Sequence, residues 1–164
     1  MTFSGTNVAT TISLQANTVT DETQLAGKGS FGPFTFRELH ADGAAPQPPS
    51  DCMGPSFGVL KGAGVFRFQD GSLLIATVMD GFWLYQSRPR EHAALTVNYQ
   101  VNGGSGRFRG ASGNLRMTAQ PRRDCPCYAT LPTRARALDE SQGSFEGTIV
   151  GPALEDEERG DERD

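Results

Sequence analysis

Two-residue alternation of apolar and polar side chains recurs along this chain, and it restricts the fold more than any other feature. In "ALTVNYQV", Leu95, Val97, Tyr99 and Val101 point one way, and Thr96, Asn98 and Gln100 the other. In "GPFTFRELH", Phe34, Phe36, Glu38 and His40 share one face, opposite Thr35, Arg37 and Leu39. A helix turns about 100° per residue and would scatter these sets, whereas a strand gathers each on one side of a sheet. "NLRMTA" and "SFEGTIVG" supply two more short strands, and the β-branched stretch "VATTISLQA" reads as the strand that opens the sheet. "GVFRFQDGSLLIATVMDGFWLYQS" reads as successive strands parted by turns at Asp70-Gly71 and Asp80-Gly81, both favourable hairpin dipeptides. The expectation is an all-β fold of seven or eight strands.

Composition agrees with short strands joined by many turns. The chain has 164 residues, the size of one domain, with 20 glycines, 10 prolines and 10 phenylalanines. Residues 1–153 read as a single β domain, and residues 154–164 as an acidic, disordered tail. The net charge of −4 belongs to that tail, because the last ten residues hold seven acids and two bases. Without them the body carries 12 acids and 13 bases, so no basic excess calls for nucleic acid. No apolar run approaches the roughly 20 residues of a membrane-spanning helix. "MTFSGTNVATTISLQ" lacks the cationic start and apolar centre of a signal peptide, so the expected location is cytoplasmic.

Two segments break the alternation: the proline-rich 41–56 and the stretch 121–136. Long connections of this kind often serve as lids or binding elements, and lineage-specific decoration is equally compatible with them. Cys52, Cys125 and Cys127 all fall within these segments. Cys125 and Cys127 have one residue between them, not the two to four usual in zinc sites, and no metal or cofactor is expected. Reduced thiols and a bridge from Cys52 to the pair are both compatible with the spacing. The clustered Arg107, Arg109, Arg116, Arg122 and Arg123 read as a solvated surface.

The glycine-dense "NGGSGRFRGASG", residues 102–113, has the wrong surroundings for a phosphate loop, since a strand pattern and not a helix follows it. Asn102-Gly103 can begin a tight turn, Gly110 and Gly113 can bracket a second, and Phe108 is placed to anchor the connection in the core. The longer "VNGGSGRFRGASGNLRMTA" resembles the "GGTGRFxGAxG" segment and following strand of allene oxide cyclase-like barrels, a superfamily that includes dirigent proteins. The matching positions are Gly103, Gly104, Gly106, Arg107, Phe108, Gly110, Ala111 and Gly113, with Ser105 where threonine is common. "GSFEGTIVG" is similar to the closing strand of such barrels. The resemblance covers about 50 residues. It implies an eight-stranded antiparallel β-barrel with an apolar interior cavity, assembled as a homodimer or homotrimer. The implied activity is that of a cofactor-independent cyclase or isomerase, controlling ring closure of a reactive hydrophobic polyene, polyketide or epoxide. A non-catalytic, dirigent-like binding barrel is the alternative, and a structural or partner-binding barrel whose interior is filled with side chains is a third. The glycine segment is structural in that superfamily and carries no catalytic residue across.

The candidate site residues come from the strand faces. Glu38 and His40, two apart on one face, can share a proton and are the candidate catalytic pair, provided that face points inward and not beyond the rim. Phe34 and Phe36 share that face as substrate-binding candidates. Trp83 and Tyr85 share a face of "GFWLYQS" and could stack on a planar substrate or simply pack the core. Tyr99 completes the set, with Asn98 on the opposite face.

Overall fold

The computed structural model describes residues 1–10, 12–43, 56–84, 94–122 and 139–151. Eight antiparallel strands close into a barrel in simple up-and-down order. They are β1 (Thr2–Ala9), β2 (Thr18–Gly29), β3 (Gly32–Gly43), β4 (Ser56–Phe68), β5 (Leu73–Leu84), β6 (Ala94–Ser105), β7 (Ser112–Arg122) and β8 (Asp139–Val150). β1 pairs with β8 from Thr2 opposite Ser144 to Asn7 opposite Asp139, so the sheet has no free edge. Among the described residues no helix is long and apolar enough to cross a membrane.

Strand polarity sorts the connections between the two ends. The β2–β3, β4–β5 and β6–β7 links are short and share one end, here the hairpin end. Residues 10–17, 44–55, 85–93 and 123–138 connect strands at the other, the long-connection end. Cys52, Cys125, Cys127, Tyr85, His92, Arg123 and the acidic tail lie outside the described residues.

The alternation faces are placed as their pattern requires. Phe34, Phe36, Glu38 and His40 all point inward, as do Leu95, Val97, Tyr99 and Val101. Three local expectations need correction. The first strand is Thr2–Ala9, and most of "VATTISLQA" is the connection to β2, turned at Asn17 with φ 58°. β2 itself has no counterpart among the expected strands. Asp80-Gly81 is no turn: both residues lie within β5, beside a register shift between Val78 and Asp80. Gly81 is small there because a Cβ would stand 2.7 Å from the Thr96 carbonyl oxygen, and Asp80 accepts a 2.6 Å hydrogen bond from Asn98. Asp70-Gly71 does form the β4–β5 turn, with Gly71 at φ 83°.

Side chains fill the hairpin half of the interior. Phe36, Phe66 and Phe145 meet with ring centroids 4.4–5.1 Å apart, and Phe34 and Phe3 pack against Phe145. Each such aromatic pair adds about 0.5–1.5 kcal/mol beyond its area burial. The expected apolar cavity is therefore replaced here by a packed phenylalanine core. Two open grooves lie on the outer wall, one over β6–β8 and one over β1, β2 and β8.

The glycine segment plugs the hairpin end as one connection, not two turns. β6 continues through Asn102 and Gly103 to Ser105, a single 3-10 turn spans Gly106–Phe108, and β7 starts at Ser112. Phe108 is fully buried between Phe31 and Phe68, with centroids 5.3 and 4.7 Å away. Arg107 is a correction to the solvated-surface expectation. Its guanidinium lies 5.1–5.8 Å from the centroids of Phe31, Phe68 and Phe108, and its Nε is 3.4 Å from the Asp70 carboxylate. Arg109 and Arg116 are exposed.

Candidate functional site: a buried acid–imidazole cluster

Above the phenylalanine core, toward the long-connection end, the inward positions of β1, β2 and β3 change from apolar to polar. The antiparallel register builds this change in transverse rows. Asn7 stands opposite Thr23, and Thr23 opposite Glu38. In the next row Asp21 stands opposite His40. Residues directly opposite in an antiparallel pair hold their Cβ atoms about 4.5–5.5 Å apart, so register alone brings Asp21 and His40 together.

β4 makes room for these side chains. Its inward residues opposite His40 and Glu38 are Gly62 and Gly64. A Cβ on Gly62 would lie 2.7 Å from His40 Cα, and one on Gly64 would lie 2.3 Å from the Phe36 ring. The "GAG" of β4 thus leaves the interior open beside Glu38, His40 and the Phe36 ring. Between Ala41 and Asp42 the β3–β4 register shifts, and Asp42 still faces inward, 2% exposed.

Glu38 is held from across the barrel. Tyr99 on β6 donates a 3.0 Å hydrogen bond to Glu38 Oε2, and the same oxygen lies 3.5 Å from His40 Nδ1. Glu38 Oε1 is buried without a hydrogen-bond partner among the described residues. His40 Nε2 lies 3.6 Å from Asp42 Oδ1. Asp21 is oriented from β1, where Asn7 Nδ2 donates to its Oδ2 at 3.4 Å and Thr23 Oγ1 donates to Asn7 Oδ1 at 3.0 Å. Three carboxylates therefore face one imidazole, in a region where Glu38 and Asp42 are 2% exposed and His40 0%.

Burial alone lowers an imidazole's pKa, because it penalises the charged form. Here the Glu38 charge and its hydrogen-bonding contact, then Asp42 and Asp21, outweigh that penalty and raise His40 to about 9. The Tyr99 hydroxyl is pushed well above its ordinary value, first by burial and then by the adjoining Glu38 charge. The cluster thus sets an imidazole whose cationic form is favoured and a phenol whose neutral form is favoured beside Glu38 Oε1, which has no hydrogen-bond partner among the described residues.

The sequence-derived candidates divide as follows. Glu38, His40 and Tyr99 converge in one cluster. Phe34 and Phe36 belong to the packed core below it, where Phe36 meets Tyr99 edge-on at 6.0 Å. Trp83 is buried at the long-connection end of β5, opposite Phe57 of β4. Tyr85 lies outside the described residues. Asp21, Asp42, Asn7 and Thr23 were not among the candidates. Asp42 was within reach of the same two-residue period, while Asp21 and Asn7 depend on strand register.

A scan against protein-family models finds no match, and searches of curated proteins and of solved structures find none either.

Proposed function

We propose that this barrel binds a hydrophobic reactive small molecule at its long-connection end and acts on it as a cyclase or isomerase. One observation carries the reading: buried Glu38 accepts a hydrogen bond from Tyr99 on Oε2, which lies 3.5 Å from His40 Nδ1, and its Oε1 has no hydrogen-bond partner among the described residues. Burying charge is costly, and a barrel that only needed to fold would gain from apolar residues here. Ionisable groups perturbed by burial and close neighbours cluster at functional sites. In the proposed mechanism Glu38 Oε1 accepts a hydrogen bond or proton from the substrate. Tyr99 and His40 fix the carboxylate and stabilise its charge, and the barrel wall holds the flexible substrate near its reacting geometry. The resemblance to allene oxide cyclase-like barrels supports the same reading, including a homodimer or homotrimer. The outer face of β4 and β5 exposes Leu60, Val65, Ile75, Met79 and Phe82, an apolar surface suited to a second copy.

The filled hairpin half favours keeping a second reading, a non-catalytic barrel that orients its ligand at the same end. One experiment separates the two. Purified protein, Glu38→Gln and a protein-free control are incubated with a panel of polyene and epoxide intermediates, and product stereochemistry is compared. Altered product ratios that revert to the control in Glu38→Gln support catalysis. A compound that raises the melting temperature and emerges unchanged supports orientation alone. Identical products throughout, with no compound stabilising the fold, overturn both.

A further inference from the structure

We propose that Asp21, His40 and Asp42 form a binding site for one first-row divalent metal ion, with Glu38 as the outer carboxylate that orients His40. The inference stands apart from the preceding reading, because an ion can be counted without any substrate.

Geometry supports it first. One ligand atom from each of Asp21, His40 and Asp42 lies within 4.8 Å of the others, and all three side chains are buried. The 3.6 Å from His40 Nε2 to Asp42 Oδ1 is long for a hydrogen bond. It is close to the roughly 3.4 Å that separates two donors of a tetrahedral ion with bonds near 2.1 Å.

The second support comes from the other side of the ring. A metal-bound histidine usually donates its remaining N–H to a carboxylate, which fixes the tautomer and the ring plane. Glu38 Oε2 stands 3.5 Å from Nδ1 and is itself held by Tyr99, while Oε1 is buried with no hydrogen-bond partner among the described residues. The order Tyr99, Glu38, His40, ion follows that arrangement, with Nδ1 and Oε2 close but not hydrogen-bonded. Asn7 supplies the equivalent support for Asp21.

The third support is the chemistry of the donors. The donor set of one imidazole and two carboxylates suits a first-row dication, from borderline Zn²⁺ and Co²⁺ to the harder Mn²⁺.

The test uses the full chain after chelator treatment and dialysis. Calorimetric titration with Zn²⁺ and with Co²⁺ should give about one ion per chain and a raised melting temperature. Asp21→Asn and Asp42→Asn should each weaken binding at least about tenfold, and Glu38→Gln by about 10–100-fold, the usual effect of losing an outer partner. Asp80→Asn, on the outer wall, should bind like the parent, as should the triple Cys52→Ser, Cys125→Ser, Cys127→Ser variant. Circular dichroism checks that each variant folds. A measurement without variants comes from Mn²⁺ added to the isotopically labelled parent. Amide signals near Asp21 and Ala41 should broaden away while those near Phe108 persist. No bound ion at millimolar metal, binding unchanged in both Asp→Asn variants, or broadening centred elsewhere overturns the proposal.

Discussion

The Tyr99 hydroxyl, on β6, donates a 3.0 Å hydrogen bond across the barrel to the Glu38 carboxylate on β3. The two residues are 61 apart in sequence and three strands apart around the wall. Both are buried, so the bond operates without competition from water, and a carboxylate acceptor makes it one of the stronger kinds. It ties the polar upper half of the interior to the phenylalanine core beneath, since the Tyr99 ring also packs against Phe36 and Phe145.

Tyr99→Phe keeps the ring and removes the donor, leaving Glu38 without its cross-barrel partner. We expect a loss of about 1–3 kcal/mol, the cost of a buried charged acceptor deprived of its hydrogen bond. Urea denaturation measures it. A change below about 0.5 kcal/mol would show that the bond contributes nothing net.

Gly64→Ala tests whether β4 is hollowed for its neighbours. The new Cβ would lie 2.3 Å from the Phe36 ring, which is wedged against Phe66 and Phe145 and cannot retreat freely. Overpacking of this kind costs about 1–3 kcal/mol. Thermal unfolding should show it, along with displaced ring signals of Phe36 in NMR spectra. A stability equal to the parent's would mean that the interior is looser than its contacts indicate.

Phe108→Ala should damage the fold without touching the acid–imidazole cluster. Phe108 is 0% exposed and seals the hairpin end between Phe31 and Phe68. Removing a ring so enclosed costs about 3–5 kcal/mol. The denaturation midpoint should fall accordingly, with the Glu38 and His40 side-chain resonances unchanged in the folded fraction. Shifts at those resonances would reveal coupling between the two ends of the barrel.

Asp70 sets a local acid limit. Its carboxyl is held below its ordinary 3.8, first by the backbone N–H of Ser72, with the Ser72 hydroxyl and the Arg107 charge adding to the effect. A depressed carboxyl stabilises the fold at pH above its unfolded value and loses that contribution as the pH falls through the folded value. Stability should therefore decline below about pH 4 partly through this turn. Asp70→Asn should flatten that part of the profile, and an NMR titration should place the Asp70 carboxyl below that of a model peptide. An Asp70 midpoint at or above 3.8 would contradict the turn geometry.

The barrel class was legible where inward faces are apolar. β3 and β6 announce themselves because Phe34, Phe36, Leu95, Val97, Tyr99 and Val101 alternate with polar residues, and the pleat sends each set to one side. β2 did not, and the reason lies in the site itself. Its inward positions include Asp21 and Thr23, so the residues that furnish the cluster erase the apolar period that would mark the strand. Asp80-Gly81 misled for the converse reason. A dipeptide suited to a turn also suits a bulged strand that needs a small residue against Thr96 and Val59.

The two-residue period by itself determined that Glu38 and His40 share a face with Phe34 and Phe36, because successive side chains of a strand must alternate. That this face points inward, that Asp21 stands opposite His40, and that Tyr99 reaches Glu38 were decided by tertiary structure. Those relations depend on register and barrel closure, which are set by how all eight strands pack together and leave no mark within any one of them.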